Sequence, residues 1–207
     1  EFIARMDADD ISHPKRLEKQ VAYLLSHPDT FLVGSNAAVI NKAGKIVGEK
    51  TEPLTHAEIR NQYFTFHPLI HPSTMYRRLD DGKPFSYRLR YSANNDYYTF
   101  FSLLCEGRKF ANLPEKLLYY RIHGKNDTFV NMKEKYWNTL NIRLSMCLKY
   151  GYVPSPKSVV IAVLQTMVIF TLPESVISQL YFITKGIKTF TLPGMPSLTP
   201  PLTVRSA

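Results

Sequence analysis

The chain opens on a short apolar run that leads directly into an acidic cluster, and this junction constrains the fold more than any other feature. Residues 2–6 predict a strand, which Asp7, Asp9 and Asp10 follow. In an extended backbone, residues two apart point to the same side, so Asp7 and Asp9 would face one point. Carboxylates suit Mg²⁺ or Mn²⁺, and Mg²⁺ is commonly held by one or two carboxylates plus substrate phosphates. The pattern therefore favours a nucleotide or another diphosphate as substrate, whereas a solvated turn or an acidic helix N-terminus would explain it without a metal.

Charge and composition indicate a globular protein that meets anionic partners. The 207 residues carry a net charge of +9, which favours phosphates, acidic glycans, nucleic acid or an inner membrane surface without choosing among them. Cys105 and Cys147 lie in apolar helical contexts, so we expect buried free thiols and a reducing compartment.

Apolar periodicity, turn residues and capping residues predict alternating strands and helices. Besides the first strand, the predicted strands are 31–40 and 45–47, which flank a turn at 41–44, then 71–78 and 116–122. The predicted helices are 14–27, 55–64, 94–107, 126–151, 157–172 and 174–190.

Four segments, in this order, resemble the later half of family 2 glycosyltransferases with the GT-A fold. They are 3–20 (IARMDADDISHPKRLEKQ), 71–78 (HPSTMYRR), 93–98 (ANNDYY) and 112–123 (NLPEKLLYYRIH). The first matches the metal-binding DXD segment of the family and the helix after it, and the third aligns with a Glu-Asp-Tyr segment. The resemblance implies an α/β protein with a partial GT-A sheet flanked by helices and a C-terminal helical extension. It also implies an enzyme that moves a sugar from a nucleotide-sugar donor to an acceptor.

The resemblance further predicts how the chain is divided. Residues 1–125 would be the acceptor-side half of a GT-A domain whose nucleotide-binding half normally lies upstream. Residues 126–190 would form a helical region, and 191–207 a Pro-rich tail. Without the upstream half, we expect weak donor binding and an open sheet edge.

On this resemblance, three residues are candidate ligands of Mn²⁺ or Mg²⁺. Asp9 would bind the metal, and Asp7 beside it would contact the metal or the ribose. His123 matches a late histidine of the family that reaches the metal or the diphosphate, and a neutral imidazole suits a Mn²⁺-type cation. A surface histidine after a strand is the alternative.

Asp96 aligns with the general base of the family. An inverting transfer needs a carboxylate that takes the proton of the acceptor hydroxyl. The alternative is a first-turn aspartate that complements the helix dipole. Asn95 departs from the pattern, because a glutamate is usual there.

Arginines are candidates for phosphate neutralisation. Arg77 and Arg121 would bind the donor diphosphate, since a guanidinium offers a bidentate fork. A solvated arginine or a carboxylate pair is the alternative at each position.

The C-terminal apolar segments predict buried or interfacial helices. Residues 158–172 are too few to span a bilayer, which needs about 20 apolar residues. Their positive flanks favour a cytoplasmic protein that contacts the inner face of the cell membrane, where lipid-linked acceptors would be found. Packing on the catalytic domain or on a dimer partner is the alternative.

The function expected from these residues is inverting, metal-dependent glycosyl transfer from a nucleotide-sugar, most readily a UDP-sugar, to a glycan or lipid-linked acceptor of cell-surface polysaccharide. An aspartyl-phosphate phosphatase would not explain the segments around Asp96 and His123. A nucleic-acid partner is not expected, because the basic residues are dispersed and no recognised motif is present. A degenerate transferase that only binds, or a basic membrane-binding or anion-binding module, remains as the alternative.

Overall fold

The computed structural model describes residues 1–123, 131–174, 176–177 and 180. In this part of the chain, a mixed, open α/β sheet is flanked by helices, as predicted. The strands are β1 (Phe2–Ala4), β2 (Ile11–Ser12), β3 (Thr30–Ile40), β4 (Ile46–Lys50), β5 (Met75–Arg77), β6 (Leu79–Asp80), β7 (Lys83–Pro84) and β8 (Lys109–Arg121). The helices are α1 (Arg16–Ser26), α2 (His56–Gln62), α3 (Asn95–Cys105), α4 (Met132–Tyr150) and α5 (Pro156–Thr171).

The centre of the sheet is the parallel pair of β3 and β8. The strand order is β1-β5-β3-β8-β2, with β4 paired to β3 as the predicted hairpin. All of β3 is buried, as is typical of a strand that is covered on both faces. β8 begins at Lys109, earlier than the predicted 116, because the segment around Asn112 also pairs with β3 across register shifts near Ser35.

An aromatic core packs one face of the sheet against α2, α3 and α4. Its fully buried members include Tyr63, Phe100, Phe101 and Phe110. Tyr97 and Tyr98 belong to the same cluster, so core packing accounts for both rings. Cys105 and Cys147 are free thiols at its margin, and burial raises the pKa of both, that of Cys105 to about 11.

The segment predicted as one strand over 71–78 is interrupted. His71–Ser73 form a 3₁₀ turn and only Met75–Arg77 are a strand. Pro72 suits the first turn of a helix, and the hydroxyls of Ser73 and Thr74 donate back to the carbonyls of Ile70 and His71. These local bonds compete with the sheet and keep His71 off the strand.

The helix boundaries follow capping chemistry. Thr55 and Glu58 form a capping box at the start of α2, and Gly151 ends α4 in the left-handed region at φ 64°. The predicted start of α4 at 126 or 127 lies outside the described residues, as do the tail 191–207 and most of the predicted helix 174–190. In the described part of the chain, no helix is both long enough and apolar enough to cross a membrane.

Candidate active site

The acidic cluster forms a turn at the end of β1, and we name residues 7–10 the acidic turn. The Asp10 backbone N–H donates to the Asp7 carbonyl at 3.3 Å. The strand already ends at Ala4, so the expected extended geometry of Asp7 and Asp9 is wrong. The two carboxylates find different partners, and Asp7 forms an ion pair with Arg5 at 2.7 Å.

A buried arginine on α1 anchors the backbone that leads into the acidic turn. The Arg16 guanidinium is 1% exposed and donates through Nη2 to the carbonyls of Arg5 (2.7 Å) and Thr74 (3.2 Å). Its Nε donates to Gln20 Oε1 at 3.0 Å, and Gln20 in turn donates to the Ser73 carbonyl. Burial lowers the pKa of Arg16 to about 10, although Asp10 acts in the opposite direction. Arg16 therefore holds in place the backbone that leads into the acidic turn.

The end of β8 holds the acidic turn from the other side. His123 Nε2 lies 3.0 Å from Asp9 Oδ2. Arg121 donates its Nε to the Asp9 carbonyl at 2.7 Å and its backbone N–H to Asp10 Oδ1 at 2.8 Å. The fold thus brings together residues that are more than 110 positions apart in the sequence.

Asp10, the last residue of the acidic turn, has a strongly shifted pKa. Burial raises the pKa of Asp10 to about 6; the Arg121 N–H acts against this shift, and Asp9 and Asp7 add to it. Asp10 Oδ2 is buried and has no hydrogen-bond partner in the described part of the chain. One carboxylate oxygen of the turn therefore remains without a hydrogen-bond donor among the described residues.

The donor set of the turn fits a hard divalent cation in part. Asp9 Oδ2 and His123 Nε2 are adjacent, half-exposed oxygen and nitrogen donors, and Asp7 lies on the same turn. Within the described ranges, no three or more His, Cys, Asp or Glu side chains form a group that could hold a metal ion. Two protein donors suffice only where substrate phosphates supply further ligands, which is the usual arrangement for Mg²⁺.

The two predicted phosphate-binding arginines are engaged with backbone carbonyls. Arg77 pairs with Phe2 at the start of β1, whereas the acidic turn follows the other end of that strand. Its guanidinium donates to the carbonyls of Leu24, His27 and Thr30, so it holds the end of α1 and is not brought to the turn. Arg121 is at the turn, but its Nη1 also donates to the carbonyls of Asn41 and Lys42.

Asp96 lies in the first turn of α3, beside two histidines. Its Oδ2 is 3.6 Å from His67 Nε2 and 3.7 Å from His71 Nδ1. The other ring nitrogen of His71 lies 2.8 Å from the Tyr87 hydroxyl. Helix α3 starts after Asn94, which adopts the left-handed conformation at φ 62° and so turns Asp96 inward.

The environment keeps this group poised for proton chemistry. Burial lowers the pKa of His67 and of His71, which favours neutral imidazoles at pH 7. Burial acts to raise the pKa of Asp96, but the histidines and backbone N–H groups outweigh it and hold that pKa below its usual value. Both ring nitrogens of His67 are buried without a hydrogen-bond partner among the described residues. Asp96 is thus ionised, and protonation of either histidine would stabilise its charge further.

Asn95, which departs from the usual glutamate, supports the loop before α3. Its Oδ1 accepts from the backbone N–H groups of Arg90 (2.9 Å) and Tyr91 (3.0 Å), and its Nδ2 donates to the Tyr91 carbonyl. This amide is therefore committed to the backbone that leads into α3.

Two cavities adjoin at Asp96. The first, of about 760 Å³, is lined by Arg5 and Met6 of the segment entering the acidic turn and by His71, Tyr87 and Asp96. The second, of about 780 Å³, lies between α3, α4 and α5 and is also lined by Asp96. The carboxylate therefore faces both spaces.

Sequence reasoning missed His67 and the buried Arg143 of the second cavity. A signal for His67 was present, because the dipeptide His-Pro occurs at 67–68 and again at 71–72. Arg143 carries no such signal, since its neighbours in space come from distant parts of the chain.

The chain is similar to known glycosyltransferases over much of its length. Residues 1–83 match the family model described as glycosyl transferase family 2. Residues 1–83 are part of a family 2 glycosyltransferase domain. The mixed sheet with flanking helices agrees with a partial GT-A fold, as expected for this domain.

Curated relatives of this glycosyltransferase domain come from several organisms. The O-antigen biosynthesis glycosyltransferase WbnJ of Escherichia coli is 37% identical over 128 residues, 60% of this chain and 49% of the relative. The amylovoran biosynthesis glycosyltransferase AmsE of Erwinia amylovora is 31% identical over 152 residues, 71% of this chain and 55% of the relative. An uncharacterized glycosyltransferase of Methanocaldococcus jannaschii is 33% identical over 135 residues, 65% of this chain and 46% of the relative. The chain thus spans about half the length of the curated relatives it matches.

Proposed function

We propose that the protein transfers a sugar from a nucleotide-sugar to a glycan or lipid-linked acceptor in the synthesis of a cell-surface polysaccharide. One observation carries the proposal: Arg5 and Met6, which lead into the acidic turn, line the same cavity as Asp96. The printed functions of the relatives from Escherichia coli and Erwinia amylovora, O-antigen and amylovoran biosynthesis, support the assignment. A UDP-sugar is the proposed donor.

Asp9 and His123 would hold a Mn²⁺ or Mg²⁺ ion, with Asp7 beside them. Such an ion supplies neutralisation of the leaving diphosphate when bound. Residues of the chain would keep the turn in its conformation. Arg121 and Arg16 fix its backbone from two sides, so that the carboxylates keep their positions as donor arrives.

Asp96 would act as the general base of an inverting transfer. Its carboxylate takes the proton of the acceptor hydroxyl while that oxygen forms a bond to the anomeric carbon. The bond from the anomeric carbon to the donor phosphate breaks, and its electron pair leaves with the nucleoside diphosphate. Asp96 then releases the proton to water. His67 and His71 flank the carboxylate at 3.6 and 3.7 Å.

The division of labour along the chain is part of the proposal. Residues 1–125 are the acceptor-side half of the catalytic domain, 126–190 the helical extension, and 191–207 a tail.

We place this protein in the cytoplasm with peripheral contact to the inner membrane face. Helix α5 supports this placement, because apolar side chains such as Val160 (58% exposed) and Met167 (58% exposed) face outward. Co-sedimentation with anionic lipid vesicles tests the contact. Val160→Ser combined with Met167→Ser should reduce the bound fraction, and an unchanged fraction would exclude α5 from the contact.

The decisive experiment is metal-dependent nucleotide release from a panel of nucleotide-sugars by the full-length protein. Turnover that requires Mn²⁺ or Mg²⁺ and is lost in Asp9→Ala and in Asp96→Asn would support the transferase and name its donor. Nucleotide binding without turnover would instead indicate a degenerate transferase that only binds. Absence of both would contradict the proposal.

A further inference from the structure

The second cavity is mainly apolar and opens along α5. Its wall combines α5 with the two most C-terminal described residues: Ile161, Leu164, Val168, Ile169, Ile177 and Leu180. Its volume of about 780 Å³ lies in the range of sites that enclose small-molecule ligands. An apolar wall of this extent suits a hydrocarbon chain.

A buried arginine in this wall has no carboxylate partner among the described residues. Arg143 is 3% exposed, and its Nη2 donates to the carbonyl of Thr65 (2.6 Å) and to Gln165 Oε1 (3.2 Å). Among the described residues, its Nε and Nη1 are buried without a well-formed hydrogen bond, and its charged neighbour set contains no carboxylate; the Tyr97 hydroxyl, whose pKa the guanidinium acts to lower, is a neutral partner. The rings of Phe64 and Tyr136 flank the guanidinium at 5.6 and 5.7 Å.

A buried cation without an anion is costly, so the cavity is complementary to a negatively charged ligand. Guanidinium groups form strong, charge-assisted hydrogen bonds with phosphate oxygens. The cavity thus offers an anion site and an apolar channel in one space, and Asp96 lies where this space adjoins the first cavity.

We propose that the second cavity binds the acceptor as a glycan carried on a lipid phosphate, with the phosphate at Arg143, the hydrocarbon chain along α5 and the acceptor hydroxyl directed to Asp96. The role as acceptor rests on the proposed function. The binding of a lipid phosphate does not, and it is measured without any donor.

The first test compares three ligands by calorimetric titration of the full-length protein. Farnesyl phosphate is the probe, farnesol its uncharged counterpart, and inorganic phosphate the free anion. We expect farnesyl phosphate to bind about tenfold to a hundredfold more tightly than farnesol, because hydrogen bonds to charged groups are the strong ones. Inorganic phosphate should give no measurable heat. Equal binding of farnesol would overturn the role of the phosphate, and tight binding of inorganic phosphate would identify a free-anion site instead.

The second test changes the cavity at two independent points. Arg143→Met should reduce farnesyl phosphate binding to the level of farnesol, while Lys149→Met, an exposed charge on the same helix, should not. Ile161→Trp fills the cavity without removing the charge and should weaken both lipids. Val163→Trp, on the exposed side of α5, should weaken neither. Equal effects of the two tryptophans would show that lipid adsorbs on the outer surface of α5 and would overturn the proposal.

The third test separates this inference from the proposed function. Stimulation of nucleotide release by a lipid phosphate-linked glycan should be lost in Ile161→Trp and kept in Val163→Trp. Lipid phosphate binding without nucleotide release in any variant would contradict the transferase function and leave the binding site supported. Nucleotide release without lipid phosphate binding would do the reverse.

Discussion

The acidic turn and the Asp96 group both place an aspartate beside histidine, but their surroundings differ. His123 and Asp9 lie 3.0 Å apart with side chains 27% and 42% exposed. Asp96 lies 3.6 and 3.7 Å from its two histidines, beyond hydrogen-bond distance, within a cluster of aromatic rings. The first arrangement can exchange its partner for a cation at little cost, whereas the second keeps an ionised carboxylate among packed aromatic rings.

The two groups are also held in place by different interactions. Backbone groups and arginines hold the acidic turn, so its geometry depends on main-chain hydrogen bonds. Packing of Phe100, Tyr97 and Tyr87 around the histidines holds the Asp96 group. We therefore expect substitutions in the turn to act on cation binding and substitutions near Asp96 to act on turnover.

The largest expected effect separates the two groups by metal rescue. Asp96→Asn should lower the turnover number about 10²- to 10⁴-fold at every metal concentration, because general-base catalysis contributes that much. Asp9→Ala should lower turnover at low Mn²⁺ and recover part of it as Mn²⁺ is raised. Steady-state rates across a Mn²⁺ titration measure both. Asp29→Asn, an exposed carboxylate paired with Lys109, is the matched control and should behave as wild type. Rescue of Asp96→Asn by metal would contradict the division of roles.

The next effect concerns the stability of the turn. Arg16→Met should lower the free energy of unfolding by about 3 kcal/mol, because the carbonyls of Arg5 and Thr74 and the amide of Gln20 lose their buried donor. Urea unfolding measures the change. Arg78→Met, at an exposed arginine, should stay within about 0.5 kcal/mol of wild type. A similar loss in both variants would refute the anchoring role of Arg16.

The sequence predicts those secondary-structure elements whose signals lie in adjacent residues. The hairpin of β3 and β4, the start of α2 after Thr55 and the end of α4 at Gly151 were all predicted from adjacent residues. It also selected Asp9 and His123, whose side chains lie 3.0 Å apart, and Asp96, which lines one cavity together with Arg5 and Met6.

Long-range contacts explain what was not predicted. The pairing of Arg77 with carbonyls at the end of α1, and the burial of Arg16 under the turn, depend on how α1 packs on the sheet. The early part of β8 around Asn112 looks like a loop by composition, yet it pairs with β3 because Gly34 leaves room for the Asn112 amide. No single stretch of sequence contains that information.

The two groups should respond to pH in opposite directions. The pKa of Asp10 is raised by burial to about 6 in the folded protein, so folding favours its protonated form. Its contribution to stability is present at low pH and is lost as pH rises through about 6. The pKa values of His67 and His71 are lowered by burial, so their contribution is present above about 6.5 and is lost as pH falls below it.

Substitutions at these positions test separately how each group makes the free energy of unfolding depend on pH. Asp10→Asn should raise the free energy of unfolding above pH 6 by about 1–2 kcal/mol once solvent screening is allowed for, and should have little effect near pH 4. His67→Gln should flatten the loss of stability below pH 6.5. Thermal unfolding between pH 4 and pH 8 measures both. An Asp10→Asn protein whose stability changes equally at pH 4 and pH 8 would exclude titration as the cause.

The smallest expected effect concerns the loop that leads into Asp96. Asn95→Ala should lower the free energy of unfolding by about 1 kcal/mol, because the N–H groups of Arg90 and Tyr91 lose their acceptor. Asn61→Ala, at an exposed asparagine on α2, is the matched control. Asn95→Asp keeps the acceptor oxygen and loses only the bond to the Tyr91 carbonyl, so its stability should lie between those of wild type and Asn95→Ala. If Asn95→Asp leaves stability unchanged but alters the turnover number, Asn95 contacts the reacting groups, and its role as support for the loop is wrong.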